Sequence, residues 1–324
     1  MGDKIMLRRA CLCALLVIFP AGSLGQALVP LKGEATLSTA YEYISFEGHF
    51  RSDGSRTPEA ASKAQSVIFD LEYGVSDRLA ITVSLPIVAS RYASTNPPSD
   101  VLRVLFDETV QTLGAGFYNH QFLDDLQYHA TLQDLRFSAR YNVSSHPVVV
   151  TPFLGSVIPS HDYAFVGESA PGRNLKEFQL GTDVARRLDP LLRKAYVDGQ
   201  FAYALPEASL DVRTTRANVS LEAGYLLKRS LAVRGFGQWQ HTFNGLHFPA
   251  DLTTPERALT HERLLKANYW HLGGGVSYAV SQNVEVSADM VTFLTGSDTH
   301  YGSGVVFRVS RSLMLLPNHR KNSQ

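Results

Sequence analysis

The first candidate for chemistry is a histidine near the end of an alternating segment, in Gln240-His241-Thr242-Phe243. A serine hydrolase built on a strand needs a serine two positions from the histidine, because side chains two apart share a face and the imidazole must reach the hydroxyl proton. Phe243 occupies that position. The segment therefore predicts no catalytic site, and an outward-facing His241 among interfacial aromatic residues is the simpler interpretation.

A second group of donor atoms comprises His120 and His129 near Asp124 and Asp125. Their spacing matches no zinc or calcium ligand motif, and a solvated loop is the ordinary structure for such a stretch. We therefore predict no metal and no cofactor.

A larger set of charged residues recurs within segments whose alternate positions are apolar. If these segments cross a membrane, the charges cannot face lipid, where an arginine at mid-bilayer costs ~2–4 kcal/mol. They would line an enclosed lumen and largely pair. Two alternatives stay open, a self-neutralising network that fills the interior and a narrow passage. The predicted lumen-lining residues are Asp70, Glu72, Asp134, Arg136, Arg140, Asp183, Asp198, Arg216, Glu222, Arg234, Asp289 and Arg308.

The elements that carry these charges are predicted strands. Between Gln65 and Val75 the odd positions are largely apolar, and polar residues such as Asp70 and Glu72 occupy even positions. Successive strand side chains face opposite sides, so this segment has one apolar and one polar face. The dipeptide Ser76-Asp77 predicts a tight turn, after which the alternation resumes.

The same pattern recurs from Ala35–Phe46 to Tyr301–Val309 and gives twelve strands. Short turns alternate with long loops at residues 48–62, 92–131, 160–175 and 244–264, as in transmembrane barrels. We predict an all-β protein, a transmembrane antiparallel up-and-down β-barrel of about twelve strands. A soluble sandwich would also alternate, but aromatic residues on the apolar face at strand ends favour the barrel. These are Tyr41, Tyr43, Tyr73, Tyr141, Tyr203, Tyr225, Trp239, Trp270 and Tyr278.

The amino terminus has the three parts of a secretory signal peptide. Basic residues precede a short apolar run, and small residues follow it, with cleavage expected after Gly25 or Ala27. Both cysteines, Cys11 and Cys13, lie in this removable segment. We therefore assign residues 1–25 to the signal peptide, 26–316 to the barrel and 317–324 to a polar tail, with the mature protein in the outer membrane of a Gram-negative bacterium.

Charge balance narrows the range of partners. The chain has 30 basic and 30 acidic residues, so nothing favours nucleic acid, which usually requires a basic face. The expected partners are outer-membrane lipid, the barrel-assembly machinery and a small molecule of unknown identity. The chain continues past the aromatic Phe307 to Leu316, whereas such barrels often end on an aromatic strand residue.

Two stretches resemble one outer-membrane family. Residues 71–86 (LEYGVSDRLAITVSLP) are similar to one of its segments, and residues 133–141 (QDLRFSARY) resemble its next landmark. The family is named for the MetA pathway of phenol degradation, and its members are treated as outer-membrane transport proteins. Leu132 and Gln133 replace the usual glycines, and Ser160 follows Ile158-Pro159 where Pro-Thr-Gly is commoner. The resemblance implies a barrel and the passage of hydrophobic or aromatic small molecules.

The longest loop contains a predicted amphipathic helix from Val101 to Leu113, preceded by Pro97 and Pro98 and stopped by Gly114. Its apolar stripe could form a lid or plug across the mouth, or a cap packed on the rim. The predicted lid residues are Leu102, Leu105, Phe106, Val110, Leu113, Phe117 and Tyr118.

The sequence as a whole predicts a non-enzymatic channel, passive or ligand-gated, for small molecules. A structural or adhesive barrel that transports nothing is the alternative, followed by an outer-membrane lipid hydrolase.

Overall fold

The polypeptide closes into one antiparallel barrel. A computed structural model of the chain describes residues 27–58, 61–93, 107–108, 123–189 and 191–316. Twelve strands form the wall, each paired with its neighbours in the chain, and the last strand pairs with the first. The wall strands are β1 (Glu34–Phe50), β3 (Ser62–Gly74), β4 (Leu79–Tyr92), β6 (Leu135–Tyr141), β7 (Val149–Ile158), β8 (Glu177–Arg187), β9 (Ala195–Pro206), β10 (Arg216–Lys228), β11 (Leu231–Thr242), β12 (Asn268–Ala279), β13 (Val284–Ser297) and β14 (Thr299–Met314).

Shorter elements lie at the end of the barrel that carries the long connections. Two short strands extend the sheet there, β2 (Arg56–Thr57) beside β1 and β5 (His129–Leu132) beside β4. Two short helices, α1 (Pro255–Leu259) and α2 (His261–Leu264), occupy the connection between β11 and β12. None of the helices in the described ranges has the length and apolarity needed to span a bilayer.

Alternation along each strand sorts the side chains, as the sequence predicted. On β3, Phe69 and Leu71 are exposed on the outer surface, whereas Asp70 and Glu72 line a cavity inside the wall. Long side chains exposed in this way form an apolar outer band, which suits a wall that faces hydrocarbon. The predicted all-β barrel of twelve strands is confirmed.

The closing strand is longer than its alternation indicated. We predicted Tyr301–Val309, whereas β14 runs from Thr299 to Met314. The added residues pair with the beginning of β1, where Glu34 lies opposite Met314. In a membrane no water is present to bond with the backbone amides and carbonyls of β1, so these groups need a partner strand. This requirement does not depend on the side chains of that partner strand.

Glycines on the wall make room for large inward side chains. At Gly224 a Cβ atom would lie 2.1 Å from the ring of Tyr196 on the neighbouring strand. The missing side chain therefore leaves room for the tyrosine ring beside β10, where its hydroxyl reaches Glu222.

Other expectations concern residues outside the described ranges. The proposed signal peptide (residues 1–25), the polar tail (317–324) and the lid residues of the predicted helix all fall there. Of that helix only Asp107 and Glu108 are described, and both are helical. These assignments stay predictions.

A substitution in the outer band tests whether this face of the wall contacts lipid. Leu221 lies in the middle of β10 and is 60% exposed, and Leu191 lies in a short turn and is 89% exposed. We expect Leu221→Arg to lower the free energy of unfolding in lipid vesicles by ~2–4 kcal/mol, because the guanidinium would face hydrocarbon. Leu191→Arg, in water, should change it little. Equal effects in denaturant titrations would contradict a lipid-facing β10.

Candidate functional site

The interior holds several charges that are paired across strands. Arg140 on β6 donates to the Glu72 carboxylate, and its Nη2 lies 3.0 Å from Asp183 Oδ2. Gln200 Nε2 donates to the second oxygen of Asp183 at 2.6 Å. One guanidinium thus joins β3 to β8, with support from β9. Because the ions are largely removed from water, removing one partner would leave a charge that the interior cannot solvate.

A second network lies on the opposite wall. Arg234 Nη2 is 2.6 Å from Asp289 Oδ2, and Arg234 Nη1 is 3.6 Å from Glu222 Oε2. The Tyr196 hydroxyl donates to Glu222 Oε1 at 2.7 Å. Here too a single arginine is shared by two carboxylates, and its charge-assisted hydrogen bonds to Asp289 fix the orientation of the guanidinium.

A third group lies near the end with the long connections. Arg216 donates to Glu177, which also accepts a 2.6 Å hydrogen bond from Gln179. Asp134 accepts a 2.5 Å hydrogen bond from the Tyr163 hydroxyl. This last contact ties the wall to a loop that enters the barrel.

A polar cavity of about 450 Å³ occupies the part of the interior toward the short turns. The turn residues Ser281, Gln282 and Asn283 line its open end, and Arg136 lies deeper. Its surface is rich in hydroxyl groups. Apart from Phe137, Phe153, Ala279 and Val284, every lining residue has a polar side chain; the hydroxyl-bearing ones are Thr36, Ser38, Thr82, Ser84, Ser138, Ser156, Ser281, Ser287, Ser310 and Ser312.

The connection between β7 and β8 folds into the barrel mouth. We call residues 163–175 the inward segment; almost all of them are buried, although they form no helix or strand. Ser90, on the inner face of β4, donates to the Ser169 carbonyl, and Gln133 Nε2 donates to the Pro171 carbonyl at 2.8 Å. The inward segment therefore lies inside the wall.

Asp124 anchors the inward segment. Its carboxylate accepts the amides of Glu168 and Ser169 at 2.7 and 2.8 Å and the Ser169 hydroxyl at 2.8 Å. Burial raises the pKa of the Asp124 carboxyl, and these hydrogen bonds oppose the rise. A small turn of the inward segment is thus held by one buried side chain from the preceding loop.

Arg263 on α2 holds the same segment from the other side. Its Nε donates to the Arg173 carbonyl at 2.7 Å, its Nη2 donates to the Asn174 carbonyl, and its guanidinium lies 3.8 Å from the centre of the Phe165 ring. Burial and the neighbouring Arg173 guanidinium lower the pKa of Arg263 to about 10, so it is still a cation at neutral pH. Leu259 of α1 packs with Phe165 in a small apolar cluster.

The structure places all twelve predicted charged residues in the interior or in contact with residues that line it. Whether they line a conducting path stays a prediction. The sequence analysis missed Glu177, Glu42 and the two partly buried arginines of the mouth, Arg173 and Arg263. It could have found Glu42 and Glu177, which occupy polar positions of alternating segments; the loop arginines had no periodic signal.

The described residues support neither a hydrolase site at His241 nor a metal site. The His241 ring lies parallel to Trp239 at 5.8 Å and edge-on to Phe243 at 5.0 Å, on the outward face of β11. Within the described ranges no group of three or more His, Cys, Asp or Glu side chains is arranged to hold a metal ion.

Comparisons with known proteins show the fold. An outer-membrane channel of Pseudomonas putida F1 superposes with a TM-score of 0.64 at 11% identity, covering 89% of this chain and 98% of that one. The β domain of the Bordetella autotransporter BrkA gives a TM-score of 0.50 at 11% identity, covering 87% and 100%. The P. putida toluene transporter TodX scores only 0.41 at 11% identity, covering 92% and 94%. No family model and no curated protein sequence matches the chain, so the MetA-family resemblance stays a prediction.

The anchor at Asp124 can be tested without a transport assay. Asp124→Ala removes the acceptor of two buried amides and a hydroxyl, each at a cost of ~1–3 kcal/mol, so the inward segment should leave its site. We expect new tryptic cleavage after Arg173 in a barrel that still shifts on unheated gels. Asp125→Ala is the control, because Asp125 is exposed and its hydrogen-bond partners within the described ranges are His129 and the Gln127 amide. Protection of Arg173 in both variants would show that Asp124 does not hold the segment.

Proposed function

We propose that the protein is a gated outer-membrane channel for small molecules, and that the structure represents its closed state. The observation that carries the proposal is the position of the 450 Å³ cavity, which opens at the short turns, while loop residues occupy the opposite mouth. In outer-membrane barrels the short turns face the periplasm and the long loops face outside. The cavity would therefore be the inner half of a passage whose outer half is blocked.

The lining of the cavity favours polar molecules as substrates. Hydroxyl groups such as those of Ser38, Ser84 and Ser310 can exchange hydrogen bonds with a solute as it sheds water. The family resemblance implied hydrophobic or aromatic molecules, which cannot exchange hydrogen bonds with these hydroxyl groups. Aromatic residues do lie in the interior near the mouth, but they pack against one another, in a cluster of Ile44, Phe46, Phe50, Tyr269, Phe293 and Tyr301. We therefore propose small polar molecules as the substrates.

The known proteins support the channel role only by likeness of fold. The similar P. putida structure is described as an outer-membrane channel, whereas the similar Bordetella structure is the β domain of an autotransporter, so the fold alone does not decide the role. A lipid hydrolase is disfavoured by Phe243, which stands where a serine would be needed. Conductance measurements distinguish the channel from the alternative, a barrel that transports nothing.

Replacing residues 162–174 by a short Gly-Ser linker should open the passage. β7 ends at Ile158 and β8 begins at Glu177, so both wall strands are retained. We expect a several-fold higher single-channel conductance in planar bilayers than for the wild type, and faster swelling of proteoliposomes in small sugars or amino acids than in aromatic hydrocarbons. Removal of residues 51–55, at the turn before β2, is the control and should change neither.

A heat-modifiable deletion variant that conducts no ions would contradict the channel and favour the structural barrel. Preferential uptake of aromatic hydrocarbons would retain the channel and overturn the polar substrate.

A further inference from the structure

A small second pocket lies near the middle of the barrel, beside the larger cavity. Its volume is about 40 Å³, which is room for a water molecule or an ammonium group. Arg308 lines both cavities, so the pocket adjoins the open one. We call it the central pocket; its polar lining residues are Glu42, Asp198, Ser220, Glu222, Gln238, His271, Asp289 and Arg308.

The charges of the central pocket do not balance. Four carboxylates line it with one arginine, Arg308, and Arg234 stands behind Glu222 and Asp289 as their partner. Asp198 and Glu222 lie directly opposite each other on β9 and β10. Like charges in that position repel, so the pair needs positive charge nearby. Glu222 has Arg234 and the Tyr196 hydroxyl, whereas among the described residues Asp198 accepts a hydrogen bond from the Ala27 amide alone.

Several polar atoms of the residues that line the pocket lack a hydrogen-bond partner among the described residues. They are Glu42 Oε1, Asp198 Oδ2, His271 Nδ1 and Gln238 Nε2. The four side chains are at least nine-tenths buried. Native proteins rarely leave such groups unsatisfied, so an unpaired set around one cavity indicates a ligand or an ordered solvent molecule.

The chemistry of these atoms selects among ligands. Carboxylate oxygens accept hydrogen bonds, and a neutral imidazole nitrogen can accept one. Three acceptors, on Glu42, Asp198 and His271, match the three N–H donors of a primary ammonium group. The Gln238 amide offers either a donor or, rotated by half a turn, a fourth acceptor. An anion would meet the uncompensated carboxylates and be repelled.

We propose that the central pocket is a binding site for the ammonium group of a small primary amine, and that it makes the channel prefer cations over anions. The binding part stands on the pocket alone. The cation preference rests on the proposed channel function.

Binding can be measured on the purified full-length barrel in detergent by saturation-transfer NMR. Methylammonium should receive saturation from the protein. Tetramethylammonium has the same charge but no N–H donor and should receive much less. The variant Glu42→Gln/Asp198→Asn should weaken methylammonium binding by about tenfold or more, since it removes two charged acceptors while nearly preserving shape. Asp189→Asn, in an exposed turn, is the matched control and should bind as the wild type does.

Each variant is first checked for the heat-modifiable form, and the single substitutions replace the double variant if it does not fold. Equal transfer to both cations, or equal binding in wild type and pocket variants, would overturn the site and leave a pocket that holds water only.

Selectivity is then measured from the reversal potential in a KCl gradient, using the variant that lacks residues 162–174. We expect a potential displaced toward that of K⁺, and a several-fold lower K⁺ over Cl⁻ permeability ratio when Glu42→Gln/Asp198→Asn is added. Conductance without cation preference would overturn the selectivity and leave the channel standing. Methylammonium binding without conductance would retain the site and overturn the channel.

Discussion

The structure depends on one constraint, that the backbone of a chain in hydrocarbon must satisfy its own hydrogen bonds. Each unpaired amide or carbonyl would cost several kcal/mol in a medium without water. A sheet meets this condition only if it has no edge, and here β14 returns to pair with β1 from Met314 opposite Glu34 to Thr299 opposite Phe50. Closure fixes the register of the strands, and the register then decides which side chains face lipid and which face inward.

Because closure fixes which side chains face inward, it concentrates charged residues in the confined interior. An arginine or aspartate on the inward-facing positions of a strand must lie in the lumen. There it is partly desolvated, so a partner of opposite charge stabilises it more than in water. The interior uses few arginines to do this, since each of two guanidiniums serves two carboxylates. The consequence is a surplus of acidic groups among the described inward residues of the wall, and the proposed preference for cations rests on that surplus. The shared sets are Arg140 with Glu72 and Asp183, and Arg234 with Glu222 and Asp289.

The barrel could be predicted from the sequence because a strand carries its signal locally. Alternation around Asp70 and the turn at Ser76 are visible within a few residues. The inward segment gives no such signal, because its burial depends on Asp124, which precedes Ser169 by 45 positions in the chain. The central pocket was hidden for the same reason. Asp198 was predicted to face the lumen, but its position opposite Glu222 follows from the register of two strands and not from either segment alone.

The wall and the loops differ in how they are held together, and this difference limits where a gate can lie. Opening the wall would break a continuous ladder of backbone hydrogen bonds with no water to replace them, so the barrel itself cannot serve as the moving part. The inward segment has no ladder. A few side chains hold it, chiefly Asp124, Gln133 and Arg263, and at the mouth water can take over the groups that they release. Its departure would leave every strand pair intact, which is what a channel that opens repeatedly in a membrane requires.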